Sequence, residues 1–520
     1  PGPPSPPTPT GPVSLQEASR FLTQATFGTT MAEVESVAST GYGRWMDQQL
    51  AMPRSAAHWD FPRRSVEQLF GVTESFWTQA IRGPDLLRQR VAFALYEIFV
   101  VSGDTKDGEL GFLADPLSAY LDVLADNAFG NFRTLLEGVA RSAAMGWFLS
   151  HINNDKEDPA TGRIPDQNFA REVMQLFSIG LWQLNPDGSR RPDGAGQPIP
   201  TYGQAEITGM SRVFTGLSWA TGWQGGYDWK RPMVVYADHA STSEKRIVNG
   251  VVIPANTSGN ESIRIALDTL FNHPNTGPFI GEQLIKRLVT SNPSRAYVGR
   301  VAAAFANNGA GTRGDMKAVI KAVLLDQEAR DSAKTSQPTW GKLREPLLRF
   351  GAWLRAFNAS NSLNRLSLWG YTDPLNDLGQ PTLRPPSVFS YFRPDYSPPG
   401  EIRAANLVAP EFQITHESST TAYANFVTEL VANGFDVTQY HPENTPIRGN
   451  YSAELALASQ PDALLDRLNL ILIGGQLSAT TRTLIKGAIE AIPTSGTGAA
   501  KRVHTAIALC MISPDFLVQK

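Results

Sequence analysis

The sequence predicts a mainly α protein: a large multi-helix globular domain with long functional loops and a small β hairpin or meander insertion. Three observations predict it. Apolar residues recur at helical spacing in segment after segment. Capping signals bracket those segments, as where Ser14 with Glu17 and Thr30 with Glu33 form capping boxes and Gly41 closes the second helix. β-type runs are confined to one stretch rich in Gly and Trp, residues 216–257. The composition, 42% hydrophobic and 18% charged over 520 residues, is that of a globular chain with ample length for a large core.

In chain order, residues 1–13 (PGPPSPPTPTGPV) read as the remnant of a Pro/Thr-rich interdomain linker, because such a tract is a semi-rigid spacer that cannot pack a core. Residues 14–520 then form one large, mainly helical domain. LQEASRFLTQATF and MAEVESVAS are the first two helices, and residues 43–50 begin a third. Ser65–Ile81 reads as a helix with Ser65 as N-cap and with Phe70 and Trp77 buried. Pro84 opens a long apolar helix running through DLLRQRVAFALYEIFVV. Pro116–Leu149 reads as two helices broken near Asn127–Asn131.

A polar loop, HINNDKEDPATGRIPD, leads into PDQNFAREVMQLFSIGLWQLNPDG. This segment reads as an amphipathic helix with Asn168, Arg171, Glu172 and Gln175 on one face. Phe169, Val173, Leu176, Phe177 and Gly180 lie on the other. Residues 183–203 are a loop, and helix resumes at Gln204–Thr215. Within 216–257 the runs MVVYA and RIVNGVVIP predict a hairpin or meander. Helices follow at 260–272, 278–290, 295–308, 315–326 and 340–357. A Pro- and aromatic-rich loop spans 358–418, and helices close the chain at 419–434, 461–474, 478–492 and 499–511. Long loops in a large domain are usually functional.

Several function classes are disfavoured by absence of their signals. The 46 basic and 49 acidic residues give a net charge of −3 without a dense Lys/Arg run, so no nucleic-acid partner is expected. No apolar run reaches the about 18 residues a spanning helix needs, so no membrane span is expected. The one cysteine, Cys510, lies in the apolar TAIALCMISPDF and reads as a small buried hydrophobe. A disulfide framework and a Cys-based zinc site are excluded, and the seven histidines include no HxxxH, HxH or HExxH pair. Asn185–Gly194 lacks the ligand spacing of a calcium loop, and no phosphate-binding glycine motif occurs in a suitable context.

The candidate chemistry sits in three places. On the amphipathic helix, Asp166 reads as the N-cap, accepting from the N–H of Asn168 or Phe169. Arg171 and Glu172 are either an ion-paired solvated face or part of a polar stripe lining a cleft beneath the 150–165 and 183–203 loops. A Glu held against Arg would stay ionised, which suits a base or ligand more than an acid. In YADHASTSEK, His239 with Asp238, Glu244 and Lys245 is the best local acid–base set, since His titrates near neutral pH. His273, before a helix, reads as a loop brace. Trp219, Trp223, Tyr227 and Trp229 could stack on sugar rings or pack the core of the hairpin. In FRPDYSPPGE, Arg393, Asp395, Tyr396 and Glu401 sit in a Pro-stiffened loop that would preorganise a site or close a lid.

Several segments, in order, carry a family resemblance. They are ASRFLTQATFG, PDQNFAREVMQLFSIGL, EITGMSRVFTGLSW, HPNTGPFIGEQLIKRLVTSNPS, RPPSVFSYFRPDYSPPG, APEFQI, LDRLNLILIGGQLS and SPDFLVQ. Together they resemble the uncharacterised bacterial family catalogued as domain of unknown function 1800, from about residue 15 to the end. The resemblance implies an exported protein, often found beside a sulfatase-like partner family, and carries no reaction, substrate or cofactor. In the family's helix motif a Glu usually stands where this chain has Gln167, which puts any role of that Glu in doubt here. The family's His-to-Lys pattern falls on His239 and Lys245.

The resulting expectation is an exported protein, extracellular or periplasmic, acting on an extracellular polymer such as polysaccharide. Asp166, Arg171, Glu172, His239 and Lys245 would be the catalytic groups. Asn168, Trp219, Trp223, Trp229, Arg393, Asp395 and Tyr396 would bind substrate. Carboxylate acid–base hydrolysis is the simplest form, and a divalent metal ion held by Asp, Glu and His is the variant. The alternative is a non-catalytic module that binds glycan or a co-exported protein partner. The enzyme reading requires these segments to meet in one concave pocket.

Overall fold

A computed structural model describes residues 11–61, 68–104, 114–368, 378–438 and 443–520, with backbone alone at 68–70. The N-terminal half is built from α1 (Leu15–Ala25), α2 (Met31–Thr40), α3 (Tyr42–Ala51), α4 (Gln68–Arg82), α5 (Leu86–Tyr96), α6 (Ala114–Asn127), α7 (Phe132–Arg141), α8 (Ala143–Phe148), α9 (Asn168–Gln175) and α10 (Gln204–Val213). After the insertion come α11 (Gly259–Asn272), α12 (Thr276–Leu288), α13 (Arg295–Ala306), α14 (Met316–Leu324) and α15 (Pro346–Ala356). The C-terminal part adds α16 (Glu417–Asn433), α17 (Pro461–Leu468), α18 (Ala479–Glu490) and α19 (Gly498–Ile512). The mainly α class is therefore observed, with β structure limited to two-stranded pieces. Among the described residues no helix is long and apolar enough to cross a membrane.

Local chemistry sets most helix ends. Ser14 and Thr30 close reciprocal capping boxes with Glu17 and Glu33, as their spacing predicts. Gly41 takes φ 82° between α2 and α3, where Gly11 O would lie 2.4 Å from an added Cβ. The proposed cap at Ser65 and the side chain of Phe70 lie outside the described residues, whereas Trp77 is fully buried.

Three helices depart from the sequence reading. α5 ends at Tyr96 rather than running through Val101, because Glu97 turns into a buried ionic cluster and Val101 O accepts the Tyr96 hydroxyl. The region 116–149 contains three helices, since Ser142 breaks the second. The amphipathic segment is helical only over Asn168–Gln175. Beyond it Ile179 and Gly180 donate to Met174 O, and Gly180 takes φ 71°.

Residues 183–203 form a ribbon rather than an irregular loop, with bridges Trp182–Pro200, Leu184–Arg190 and Pro192–Pro198. The insertion contains two antiparallel pairs: β1 (Leu217–Ser218) with β2 (Val234–Val235), and β3 (Lys245–Arg246) with β4 (Val252–Ile253). The turn joining the second pair places Asn249 at φ 59°, the left-handed conformation that Asn-Gly supplies. A third pair, β5 (Lys342–Leu343) with β6 (Val518–Gln519), ties the C-terminus to the middle of the chain.

A contiguous apolar cluster runs from Ala18 in α1 to Phe516 near the C-terminus. α9 packs on α10, and α10 packs on β3. That last contact is close enough to need Gly209, where an added Cβ would lie 1.7 Å from Arg246 O. The insertion is thereby held against the helix that follows the polar segment.

Candidate functional site

The polar segment HINNDKEDPATGRIPD forms one wall of the candidate site. Asn153 N–H donates to Leu217 O and Gly216 N–H to Asn154 O, so this wall is stitched to the insertion. Asn154 also fixes the start of α9: its Oδ1 accepts the Asp166 N–H at 2.9 Å and its Nδ2 donates to Asp166 O at 3.3 Å. Asp166 in turn accepts the Asn168 N–H at 2.8 Å, the bond expected from sequence, although Gln167 occupies the cap position proper. Ser150, Asn153, Asn154, Asp155, Arg163 and Asp166 line an open cleft of about 610 Å³. Asn168, at its edge, is exposed.

His239 joins this wall through Asp155. Its Nδ1 lies 3.2 Å from Asp155 Oδ1. The other carboxylate oxygen of Asp155 lies 3.1 Å from Arg163 Nη2. One face of the imidazole is covered by Trp223, with ring centroids 3.7 Å apart and planes at 4°. Lys156 N–H donates to His239 O at 3.0 Å, locking the two segments backbone to backbone. With Nδ1 turned to a carboxylate, Nε2 is the ring nitrogen left for proton exchange. Hydrogen bonding, stacking and a backbone tie thus fix the ring orientation.

Lys245 is not in the cleft. It is fully buried, with Nζ donating to Ser243 O at 3.0 Å, and burial lowers its pKa. The charge opposing it is Glu157, which accepts from Ser241 Oγ at 2.8 Å and lies 3.5 Å from Arg212 of α10. Burial pushes Glu157 up, but hydrogen bonds from Ser243, its own N–H and Ser241, together with Arg212, bring it below the ordinary carboxylate value. Lys245 and the half-buried Glu157 thus brace the turn at Ser241–Ser243 that follows His239. Asp238 and Glu244 are exposed.

Glu172 differs from its expected state. It is buried, and Oε2 has no hydrogen-bond partner among the described residues. Burial pushes the carboxyl up to about 7, and the nearby Arg171 offsets only part of that. The expectation that Arg171 would keep it ionised fails because desolvation outweighs the attraction. Tyr202 packs into the same group, its hydroxyl donating to Gln175 Oε1 at 3.2 Å and its pKa raised to about 12 by burial and by Glu172. The polar stripe of α9 is thus half core. Glu172 is not among the residues lining the cleft that holds Asp166.

The aromatic residues separate into two groups. Trp219 and Trp229 are buried, their rings 4.7 Å apart and edge to face, and Trp147 and Tyr227 complete the cluster. They are the core of the insertion, so the expected sugar-stacking role for Trp219 and Trp229 does not fit their placement. Only Trp223, half-buried against His239, belongs to the site. Arg393, Asp395 and Tyr396 form a turn elsewhere. Arg393 stacks over Phe389 and its N–H donates to Gln413, while Tyr396 O accepts the Ala409 N–H. His273 braces a loop as expected, its Nδ1 accepting the Asn275 N–H, and burial lowers its pKa to about 4.

Of the sequence candidates, Asp166 lines the cleft, and His239, with Trp223 stacked on it, reaches the wall of that cleft through Asp155. The structure sets Glu172, Lys245, Trp219 and Trp229 into the packing, and Arg393, Asp395 and Tyr396 into a separate turn. Sequence reasoning passed over Asn154, Asp155, Glu157 and Arg163, whose only signal was the density of polar groups in HINNDKEDPATGRIPD. Among the described residues no group of three His, Cys, Asp or Glu is placed to hold a metal ion.

No curated protein and no solved structure matches the chain. The model of the family described as protein of unknown function (DUF1800) matches residues 20–518, spanning the segments that build this cleft, and the chain belongs to that family.

Proposed function

We propose that the cleft of the 150–167 segment, together with His239 of the adjoining insertion, performs acid–base chemistry on an extracellular polymer, with His239 as the base and Asp155 as the group that orients it. The observation that carries this reading is the fixed ring: His239 is held by Asp155 on one edge and by Trp223 across one face. A general base must be preorganised in this way to contribute to rate. The cleft is open and lined by amides and carboxylates, which suits a hydroxyl-rich chain such as a polysaccharide better than an apolar ligand. Hydrolysis by protein groups is the simplest form, and a divalent metal ion is the variant. Placement outside the cell is part of the proposal.

The test is a polysaccharide panel assayed for binding and for new reducing ends, with wild type, His239→Ala and Asp155→Asn compared at equal helix content. Turnover by wild type that both variants lose supports the reading. Turnover unaffected by either variant overturns it. Binding without turnover assigns the cleft to a non-catalytic glycan-binding module instead.

A further inference from the structure

Far from any hydrophobic expectation, six charged side chains meet in the core where α5, α12, β5, α15 and the 378–414 segment converge. Glu97 follows α5, Arg90 lies within it, Arg287 is on α12, Lys342 is on β5, Glu345 caps α15, and Glu411 belongs to the short helix Pro410–Ile414. Each is at most 4% exposed. Buried charges of this number are rare unless paired. Arg287 Nη1 lies 3.5 Å from Glu97 Oε1, and Lys342 Nζ lies 3.1 Å from Glu411 Oε1. Arg349 of α15 and the phenols of Tyr96 and Tyr391 complete the titratable surroundings.

Two oxygens stand out. Glu97 Oε2 and Glu345 Oε1 receive no N–H or O–H from any described residue, although both carboxyl groups are buried beside the same cations, Arg90 and Lys342. Ionised carboxylates are acceptors only, so one proton held between the two carboxyl groups is what would satisfy both orphan oxygens. The same pair anchors the 378–414 segment. Gln380 Nε2 donates to Glu345 Oε2 at 2.7 Å, and Gln380 Oε1 accepts the Leu347 N–H at 2.9 Å. Phe392 lies under the Arg287 guanidinium at 4.9 Å, and Glu411 supplies the ion pair with Lys342.

We propose that Glu97 and Glu345 share one proton, and that this proton latches the 378–414 segment onto the helical core. Burial, then the charge of Glu345, pushes Glu97 up to about 8, while Arg287 and Lys342 offset part of this. The pair titrates as a unit. Its folded value lies above the ordinary 4.5, so the stabilisation is complete below about 4.5 and is lost as pH rises to about 8. Across that window the folding equilibrium falls about tenfold per pH unit for the one proton involved. Alkaline conditions put a second negative charge against Glu345 and loosen Gln380, and the segment opens first.

The experiment compares the full chain with Glu97→Gln, whose amide donates to Glu345 without a titrating proton. Denaturant midpoints are taken from about pH 5 to about pH 9. The expected result is a wild-type slope steeper than that of Glu97→Gln by one proton, with alkaline proteolysis of wild type beginning inside 378–414. Equal slopes, or first cleavage outside 378–414, overturn the proposal. Should Glu97→Gln fail to fold, infrared spectroscopy of wild type decides the matter. A buried protonated-carboxyl band present at neutral pH and lost at alkaline pH supports the shared proton, and no such band overturns it.

Discussion

The imidazole of His239 lies flat on the indole of Trp223, with centroids 3.7 Å apart and planes at 4°. Sixteen positions separate the two residues, and neither α-helix nor strand periodicity relates them. The insertion folds back on itself, and the ring of Asp155 contacts makes that return specific. A double-mutant cycle on Trp223→Leu and His239→Ala is expected to give a coupling energy of about 0.5–1.5 kcal/mol in urea unfolding. Additive effects would mean the stack does not persist in solution.

On a polymer that the protein turns over, His239→Ala is expected to lower kcat by about 10²–10⁴-fold, the usual worth of a positioned general base. Asp155→Asn should lower kcat in the same direction and leave KM nearly unchanged, because it disturbs ring orientation and not the cleft lining as a whole. Steady-state kinetics check both.

Glu172 should make the protein less stable as pH rises. Its folded value, about 7, lies above the ordinary 4.5, so its contribution is intact below about 4.5 and is lost on the way to about 7. That interval sets an upper bound of about 3 kcal/mol, which residual solvent screening reduces to about 2 kcal/mol. Glu172→Gln is expected to gain this amount on wild type between about pH 4 and about pH 8. Urea midpoints at the two pH values measure it.

Trp219→Ala is expected to cost about 3–5 kcal/mol of stability, since it opens a cavity in the aromatic core of the insertion. Any loss of ligand binding should track unfolding. Thermal melts with and without a bound glycan separate this from a binding role.

Gly209→Ala reverses a helix rule. Alanine in a helix interior normally gains about 1 kcal/mol over glycine. Here the Cβ would meet Arg246 O at 1.7 Å, so β3 must move away from α10. A net loss of about 1–3 kcal/mol is expected, with amide exchange accelerated at β3 and β4.

The helices were legible because their information is local. Ser14, Glu17, Thr30 and Glu33 cap in the sequence as they do in space. Helix lengths were less legible where the chain obeys something distant: α5 stops at Tyr96 because Glu97 is needed in a cluster assembled from four other segments. The site was half legible. His239 and Asp166 could be picked by residue type and local spacing, but Asp155 could not, since its importance comes from a contact 84 positions away. Glu172 was found and its charge state misjudged, because sequence shows Arg171 beside it and does not show the loss of water.

By itself the sequence determined the helical class, the capping of the first helices, the presence of β structure in the 216–257 insertion and the family to which the chain belongs. Each follows from short-range periodicity, capping chemistry or an ordered set of motifs. The β5–β6 pair and the 183–203 ribbon came only with the fold. Only the tertiary structure decided which polar residues face the cleft, which tryptophans are core, and that Glu97 and Glu345 are both buried in one charged cluster. Burial and desolvation depend on what the rest of the chain places around a group, and the same carboxyl is a charged surface residue or a protonated core residue according to those neighbours.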